Sequence, residues 1–274
     1  MAAASALNQG IYNAPDVALH YASLSYLTAS EKYLFQAYIQ PGMAILDIGV
    51  GGGRTTPLLS SLASRYVGID YANEMIRTCR EKFPTLDFRT LDASDLGCFT
   101  NASFDAVVMA FNSIDYVLPE SQRRRCLQEC HRILKNGGLL IFSSHNPRAI
   151  FVKPAWNRER MAKIANDIGG GGLRAQCTAS LLASMMTGYA LARCAVRTVV
   201  KALRKIKTCA FWTGSGLWLD PSHGGLVTHT WTPNRCIEEV EAVGFQITKY
   251  LGDDFPQTSG EFVTDWYYYV FRKF

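Results

Sequence analysis

From Met43 onward, short apolar runs alternate with amphipathic segments, and no other feature of the sequence restricts the fold as strongly. Met43 to Ile48, Arg65 to Asp70, Leu86 to Asp92, Phe104 to Phe111 and Leu139 to Ser144 read as strands. Between them, Thr56-Pro57 opens a helix with proline in its first turn, and a second helix runs from about Asn73 to Lys82. A third, from Pro119 to Lys135, is expected to stop at Asn136-Gly137-Gly138. Such repetition predicts a parallel sheet with helices on both faces. The pattern resumes at Thr232-Pro233 with a helix to Gly244, then strands from Phe245 to Leu251 and from Thr264 to Phe274. The short connection between these last two permits an antiparallel hairpin.

Two segments stand outside the alternation. Residues 15–40 carry Val17, Leu24, Leu27, Tyr33, Leu34 and Tyr38 at roughly helical spacing, which predicts one or two amphipathic helices. From about 147 to 231 the sequence reads as an insertion. Within it Leu182, Met185, Tyr189, Ala192, Val196, Val199, Leu203 and Ile206 recur at steps of three and four, a helical stripe. The expected organisation is a helical cap (1–42), a core (43–146), a helical lid insertion (147–231) and the end of the core (232–274).

The chain has 274 residues, 48% hydrophobic and 19% charged, which suits a full-sized core and excludes a disordered or collagen-like chain. No cationic segment followed by an apolar one opens the sequence, and the longest apolar stretch, Leu181 to Ala192, is cut by Arg193 well short of the roughly 18 residues a membrane span needs. No transmembrane segment and a cytoplasmic location are expected. The eight cysteines include no CxxC pair and read as reduced thiols. Cys126, Cys130 and His131 resemble ligands, but the two cysteines lie at i, i+4 with no second pair elsewhere, so a packed helix face is the better reading and no metal is expected.

The first strand ends in Asp47-Ile48-Gly49-Val50-Gly51-Gly52-Gly53-Arg54. Glycines between a strand and a helix let a ligand approach the backbone and leave the helix N-terminus open. A dinucleotide fingerprint beginning at Gly49 would need glycine where Arg54 stands. Asp47, two positions before the first glycine, is unhelpful beside a pyrophosphate but favours an ammonium group. The second strand ends in Asp70, a carboxylate suited to the hydroxyls of a ribose, and the third in Leu91-Asp92-Ala93-Ser94. Each aspartate alone reads most simply as a cap or turn residue. Three at successive strand ends form a pattern.

On these residues the sequence resembles the class I S-adenosylmethionine-dependent methyltransferases, the bacterial small-molecule type, closely over 43–145 and in topology over 232–274. The resemblance implies an α/β, Rossmann-like, seven-stranded and mostly parallel sheet of order 3-2-1-4-5-7-6 with the last strand antiparallel. It implies S-adenosylmethionine as cofactor and S-adenosylhomocysteine as product. By the family pattern Asp47, Gly49 and Gly51 hold the methionine part, Asp70 the ribose, Tyr71 and Met75 flank the adenine, and Asp92 with Ala93 and Ser94 meets its amine. Phe111, Asn112 and Ser113 face the sulfonium. Val50 departs from the small residue common at its position, which leaves the backbone role intact.

Methyl transfer needs a base only if the nucleophile must lose a proton. His145, at the end of the fifth strand, is placed to serve a hydroxyl; His223 and His229 are rivals, and His20 and Tyr21 weaker ones. The expected activity is transfer to an oxygen, less readily a nitrogen or carboxylate, of a small-molecule, sugar or peptide natural-product acceptor. Net charge is +5, yet residues 148–207 hold 12 Lys and Arg against 2 Asp and Glu, a local +10 that leaves the remainder at −5. Arg193, Arg197 and Lys201 fall at i, i+4, i+8, either a solvated face or part of a lid that attracts an anionic acceptor, hinged at Gly169 to Gly172. A nucleic-acid methyltransferase is disfavoured because Phe111-Asn112-Ser113-Ile114 lacks the prolines of the amino-directed motif and no aromatics interleave the basic stripe. A cofactor-binding regulator without turnover is the non-enzymatic alternative.

Overall fold

A computed structural model of the chain describes residues 2–152, 210–220 and 225–274. Three helices come first: α1 (Ala2–Tyr12), α2 (Pro15–Ser23) and α3 (Ala29–Tyr38). The core then runs β1 (Met43–Ile48), α4 (Thr56–Leu62), β2 (Ala63–Asp70), α5 (Asn73–Lys82), β3 (Asp87–Thr90), β4 (Phe104–Met109), a 3-10 turn (Ser113–Tyr116), α6 (Glu120–Ile133) and β5 (Leu134–His145). After α7 (Pro147–Val152), the description resumes with α8 (Ala210–Thr213), β6 (Ser215–Asp220) and β7 (Leu226–Trp231), and closes with α9 (Pro233–Glu241), β8 (Phe245–Gly252) and β9 (Trp266–Lys273).

Seven strands form one sheet in the order β3-β2-β1-β4-β5-β9-β8, with β9 antiparallel to both neighbours and the other pairs parallel. This is the expected order; only the numbering shifts, because β6 and β7 form a separate antiparallel ribbon. Strand periodicity of two divides the core between the faces of the sheet. Leu46, Val107, Leu140, Tyr269 and Phe271 pack in one cluster, whereas Ile45, Val108, Ile141, Tyr268 and Val270 pack in the other. Each fully buried side chain of this size contributes roughly 1.5–3 kcal/mol. Cys126 and Cys130 are buried in the first cluster, in agreement with a packed face of α6.

Three local readings are corrected. The third helix ends at Ile133, and Asn136-Gly137-Gly138 lies inside β5. Phe104 pairs with Leu134 and Ala106 with Leu139, so two steps along β4 oppose five along β5. Gly137, at φ 76°, supplies the bulge that absorbs the difference. The third strand stops at Thr90, which leaves Asp92 in the following turn. The described end of the insertion is a β-ribbon rather than helix; it docks through Asn8 of α1, whose amide pairs with both Val227 O and Val227 N at 2.7 and 3.0 Å. The helical stripe from Leu182 to Ile206 and Gly169 to Gly172 lie outside the described residues.

Candidate functional site

The strand ends converge on one cavity. At the end of β1 the chain turns back on β2, with Gly49 N and Val50 N both donating to Ile69 O at 2.8 and 3.0 Å. The turn requires left-handed backbone at Gly49 (φ 67°) and Gly51 (φ 54°). A Cβ on Gly49 would lie 2.5 Å from Ser113 Cβ; one on Gly51 meets nothing nearer than Tyr21 Cδ1 at 3.9 Å and would take up cavity space. The cavity, about 550 Å³, follows the carboxyl ends of β1, β2, β4 and β5, and Tyr12, His20 and Tyr21 of α1 and α2 close its other side.

Asp70 is buried on the cavity wall. Its Oδ2 accepts from Gly51 N at 3.0 Å and its Oδ1 from Ala72 N at 2.9 Å, which locks the end of β2 to the glycine turn. Burial pushes this carboxyl up to about 6, against the pull of those backbone donors. Tyr71, Met75, Asp92 and Ala93 line the same end of the cavity. Ser94 does not; its N and Oγ donate to Asp92 Oδ1 at 2.8 and 2.7 Å and fix the turn that carries Asp92.

Asp47 is absent from the wall. In β1 it shares a face with Ile45, turned away from the face of Leu46 and Ile48. Its Oδ2 accepts from Thr55 Oγ1 at 2.6 Å and Tyr66 OH at 2.9 Å. Burial raises this carboxyl to about 6 as well. Asp47 thus has a structural role behind the loop, joining β1 to Thr55 and to Tyr66 of β2.

At the opposite end, Phe111 (φ 56°) and Asn112 (φ 62°) follow β4 in left-handed conformation, costing of order 1–3 kcal/mol each. Asn112 N donates to Ser143 Oγ at 2.8 Å, and Phe111, Asn112, Ser113 and His145 all line the cavity. Sequence reading missed Asp115. Fully buried in the 3-10 turn, it accepts from Ser144 Oγ (2.6 Å), His145 N (2.7 Å) and His145 Nδ1 (2.8 Å). Desolvation raises its carboxyl and the hydrogen bonds from His145 and Ser144 oppose the rise. His145 Nε2 meets Asn112 Nδ2 at 3.1 Å. The adjacency of β4 and β5 is the signal that would have paired Asp115 with His145 across 30 residues.

Arg54 also lines the cavity and forms a two-pronged ion pair with Glu31 of α3, at 2.6 and 2.5 Å. It donates to Tyr26 O at 3.0 Å, and its Cζ lies 4.7 Å from the Phe111 ring centre. Glu31 belongs to the capping box of α3 with Thr28, so one carboxylate starts the helix and anchors it to the glycine loop. Tyr21 stands in the wall, its ring 5.8 Å from that of Tyr12. His229 does not: it lies in β7, with Nε2 3.0 Å from Ser215 Oγ and its ring against Trp231. His223, Arg193, Arg197 and Lys201 lie outside the described residues.

A sheet of this order with a glycine turn after β1 and an acid after β2 is the architecture of a class I methyltransferase. Residues 45–138, about a third of the chain, match the family described as Methyltransferase domain. The human mitochondrial ubiquinone biosynthesis O-methyltransferase is 36% identical over 112 residues, covering 38% of this chain and 29% of that protein. This chain spans about half the length, or less, of the curated relatives it matches. Among solved structures, a SAM-dependent methyltransferase of Methanosarcina mazei is similar with a TM-score of 0.56 and 20% identity, over 88% of this chain and 96% of that one. The Burkholderia thailandensis 1,6-didemethyltoxoflavin-N1-methyltransferase, solved with 1,6-didemethyltoxoflavin and S-adenosylhomocysteine, has a TM-score of 0.52 and 14% identity over 88% and 75%. Both show a shared fold.

Proposed function

We propose that this protein transfers a methyl group from S-adenosylmethionine to an oxygen of a small-molecule acceptor, with His145 as the base. The observation that carries the choice of oxygen is the Asp115–His145 pair at the cavity wall, 2.8 Å apart, because an amine in its neutral form needs no such base. S-adenosylmethionine supplies a methyl on sulfonium: the acceptor's oxygen forms the C–O bond as the C–S bond breaks, and S-adenosylhomocysteine leaves. The open turn at Gly51 and the carboxylate of Asp70 fit such a ligand. Asp70 takes the ribose hydroxyls, Asp92 and Ala93 the adenine amine, and Tyr71 and Met75 the adenine faces. Gly49, Gly51 and Phe111 to Ser113 surround the methionine end, with Asp47 holding the loop from behind.

His145 keeps Nδ1–H on Asp115 and receives the acceptor's proton at Nε2, in exchange for the hydrogen bond from Asn112 Nδ2. The imidazolium so formed faces a buried carboxylate. The segment 147–231, with Arg193, Arg197 and Lys201, is proposed as the acceptor-selecting lid, and 1–42 as the cap opposite it. Among the described residues no helix is long and apolar enough to cross a membrane. Free thiols at Cys79, Cys98, Cys126, Cys130 and Cys236 support a reducing, cytoplasmic setting.

The test is a screen of hydroxylated aromatics and sugars with methyl-labelled S-adenosylmethionine, the product's methyl located by NMR. Oxygen methylation abolished by His145→Gln supports the reading. Methylation only at nitrogen, indifferent to His145→Gln, contradicts it.

A further inference from the structure

Trp266 stands directly across from His145, the last residue of β5 paired with the first of β9 in the antiparallel ladder. Opposed residues of a ladder share a face of the sheet, and both of these are half-buried and line the cavity. Their rings lie 6.3 Å apart and nearly perpendicular, at 79°. The indole is held in place. Its N–H donates to Tyr268 OH at 3.1 Å, and that hydroxyl meets Oγ1 of Thr28, the N-cap of α3, at 2.9 Å. The adjoining backbone is pinned as well: Asp253 N donates to Trp266 O at 3.1 Å, and buried Asn146 donates through N to Asp265 O at 2.8 Å and through Nδ2 to Thr264 O at 2.9 Å. With its one donor engaged, Trp266 offers the cavity aromatic surface and no hydrogen bond.

We infer that Trp266 selects the acceptor: a flat aromatic ring lies against the indole while its hydroxyl reaches His145 Nε2. The inference rests on the proposed methyltransferase reading, with His145 as the base, and narrows it from hydroxylated small molecules in general to aromatic ones. Phe111, also half-buried in the wall, supplies a second aromatic surface at this end of the cavity. Aromatic rings gain from mutual contact beyond the area they bury. A sugar in the same place would press hydroxyls against an indole that cannot pair with them. Indole and imidazole are both fixed by their partners before a ligand arrives, so little ordering cost offsets the contact.

The experiment is a 19F NMR titration of the protein with its five tryptophans replaced by 5-fluorotryptophan, saturated with S-adenosylhomocysteine, against phenol and against cyclohexanol. Each probe carries one hydroxyl on a six-membered ring, and only phenol is flat and aromatic. The Trp266 resonance, assigned as the one lost in Trp266→Phe, should shift with phenol and stay in place with cyclohexanol, and phenol should bind about three- to tenfold more tightly. In Trp266→Leu, ligand-detected 1H NMR should find that preference gone while affinity for S-adenosylhomocysteine is retained. A preference that came from the greater acidity of phenol would instead vanish in His145→Gln and persist in Trp266→Leu. That result, a Trp266 resonance unmoved by phenol, or equal affinity for the two probes overturns the inference. Failure of methyl transfer in the acceptor screen, with the Trp266 shift and the preference intact, would instead count against the proposed activity.

Discussion

The carboxylate of Asp47 accepts a 2.6 Å hydrogen bond from Thr55 Oγ1 and thereby ties the end of β1 to the start of α4 across the glycine loop. With Tyr66 OH on the same oxygen, this buried acid helps to set the shape of the loop.

Asp47 makes stability depend on pH. Its carboxyl is raised from 3.8 to about 6 by burial, so between about pH 4 and 6 the folded protein holds a proton that the unfolded chain has released. Stability contributed by this group therefore falls as pH rises through that window. Asp47→Asn keeps an oxygen for Thr55 and Tyr66 without the buried charge, and should be more stable than wild type at pH 7.5, by up to about 3 kcal/mol. The gain should vanish by pH 4. Urea denaturation at both pH values checks this, and an equal difference at both would refute the assignment.

Asp70 links pH to cofactor affinity in the opposite sense. Its carboxyl, raised to about 6 by burial, must be ionised for its proposed role of accepting from both ribose hydroxyls. Affinity for S-adenosylhomocysteine should fall by up to tenfold per unit below pH 6. Asp70→Ala should weaken binding by about 1.5–3 kcal/mol at pH 7.5 and flatten the pH dependence. Calorimetry from pH 5 to 7.5 reads both effects; an unaltered affinity in the variant would mean that Asp70 does not touch the ligand.

Gly52 packs against the backbone of α2, where an added Cβ would overlap Ala22 N and Tyr21 C. Lys82 Nζ joins the same two segments, 2.9 Å from both Ala22 O and Gly52 O. Gly52→Ala should displace the cap from the glycine loop and cost about 1–3 kcal/mol. Hydrogen exchange should quicken in α2 while β1 and β4 stay protected. Unchanged exchange in α2 would show that the cap does not depend on this contact.

Glu31→Leu leaves Arg54 buried without its counter-charge and should cost about 3–5 kcal/mol. Replacing both, as Glu31→Leu with Arg54→Met, should recover most of that loss. A double variant no more stable than the single one would contradict the pairing as the source of the cost.

The parallel core was legible because β1, β4 and the buried parts of β2 and β5 are short apolar runs and local periodicity reports burial directly; β3 buries only Phe88. Asp70 and Asp92 stood out at strand ends, and Tyr71, Met75 and Ala93 came with the family resemblance; all five line the cavity. The contacts of Asp47 were not legible, because strand periodicity turns it to the face of Ile45, where Tyr66 of the neighbouring strand meets it. Asp115 had no local signal: its partner His145 comes from β5, which only sheet pairing brings beside it. The ribbon of β6 and β7 rests on two short runs, Leu217 to Asp220 and Leu226 to Trp231, overshadowed by the longer helical spacing before them. Arg54 excluded a dinucleotide fingerprint in sequence, whereas its pairing with Glu31 depends on how α3 folds over the loop.

Whether the cavity at the glycine loop is built for S-adenosylmethionine is read by calorimetry of the purified protein with S-adenosylhomocysteine and, separately, NAD. One-to-one binding of S-adenosylhomocysteine and no heat from NAD are expected, because Asp70 and Asp92 suit a ribose and an adenine amine while Arg54 stands where the third dinucleotide glycine would be. Tight binding of NAD with no response to S-adenosylhomocysteine would contradict it.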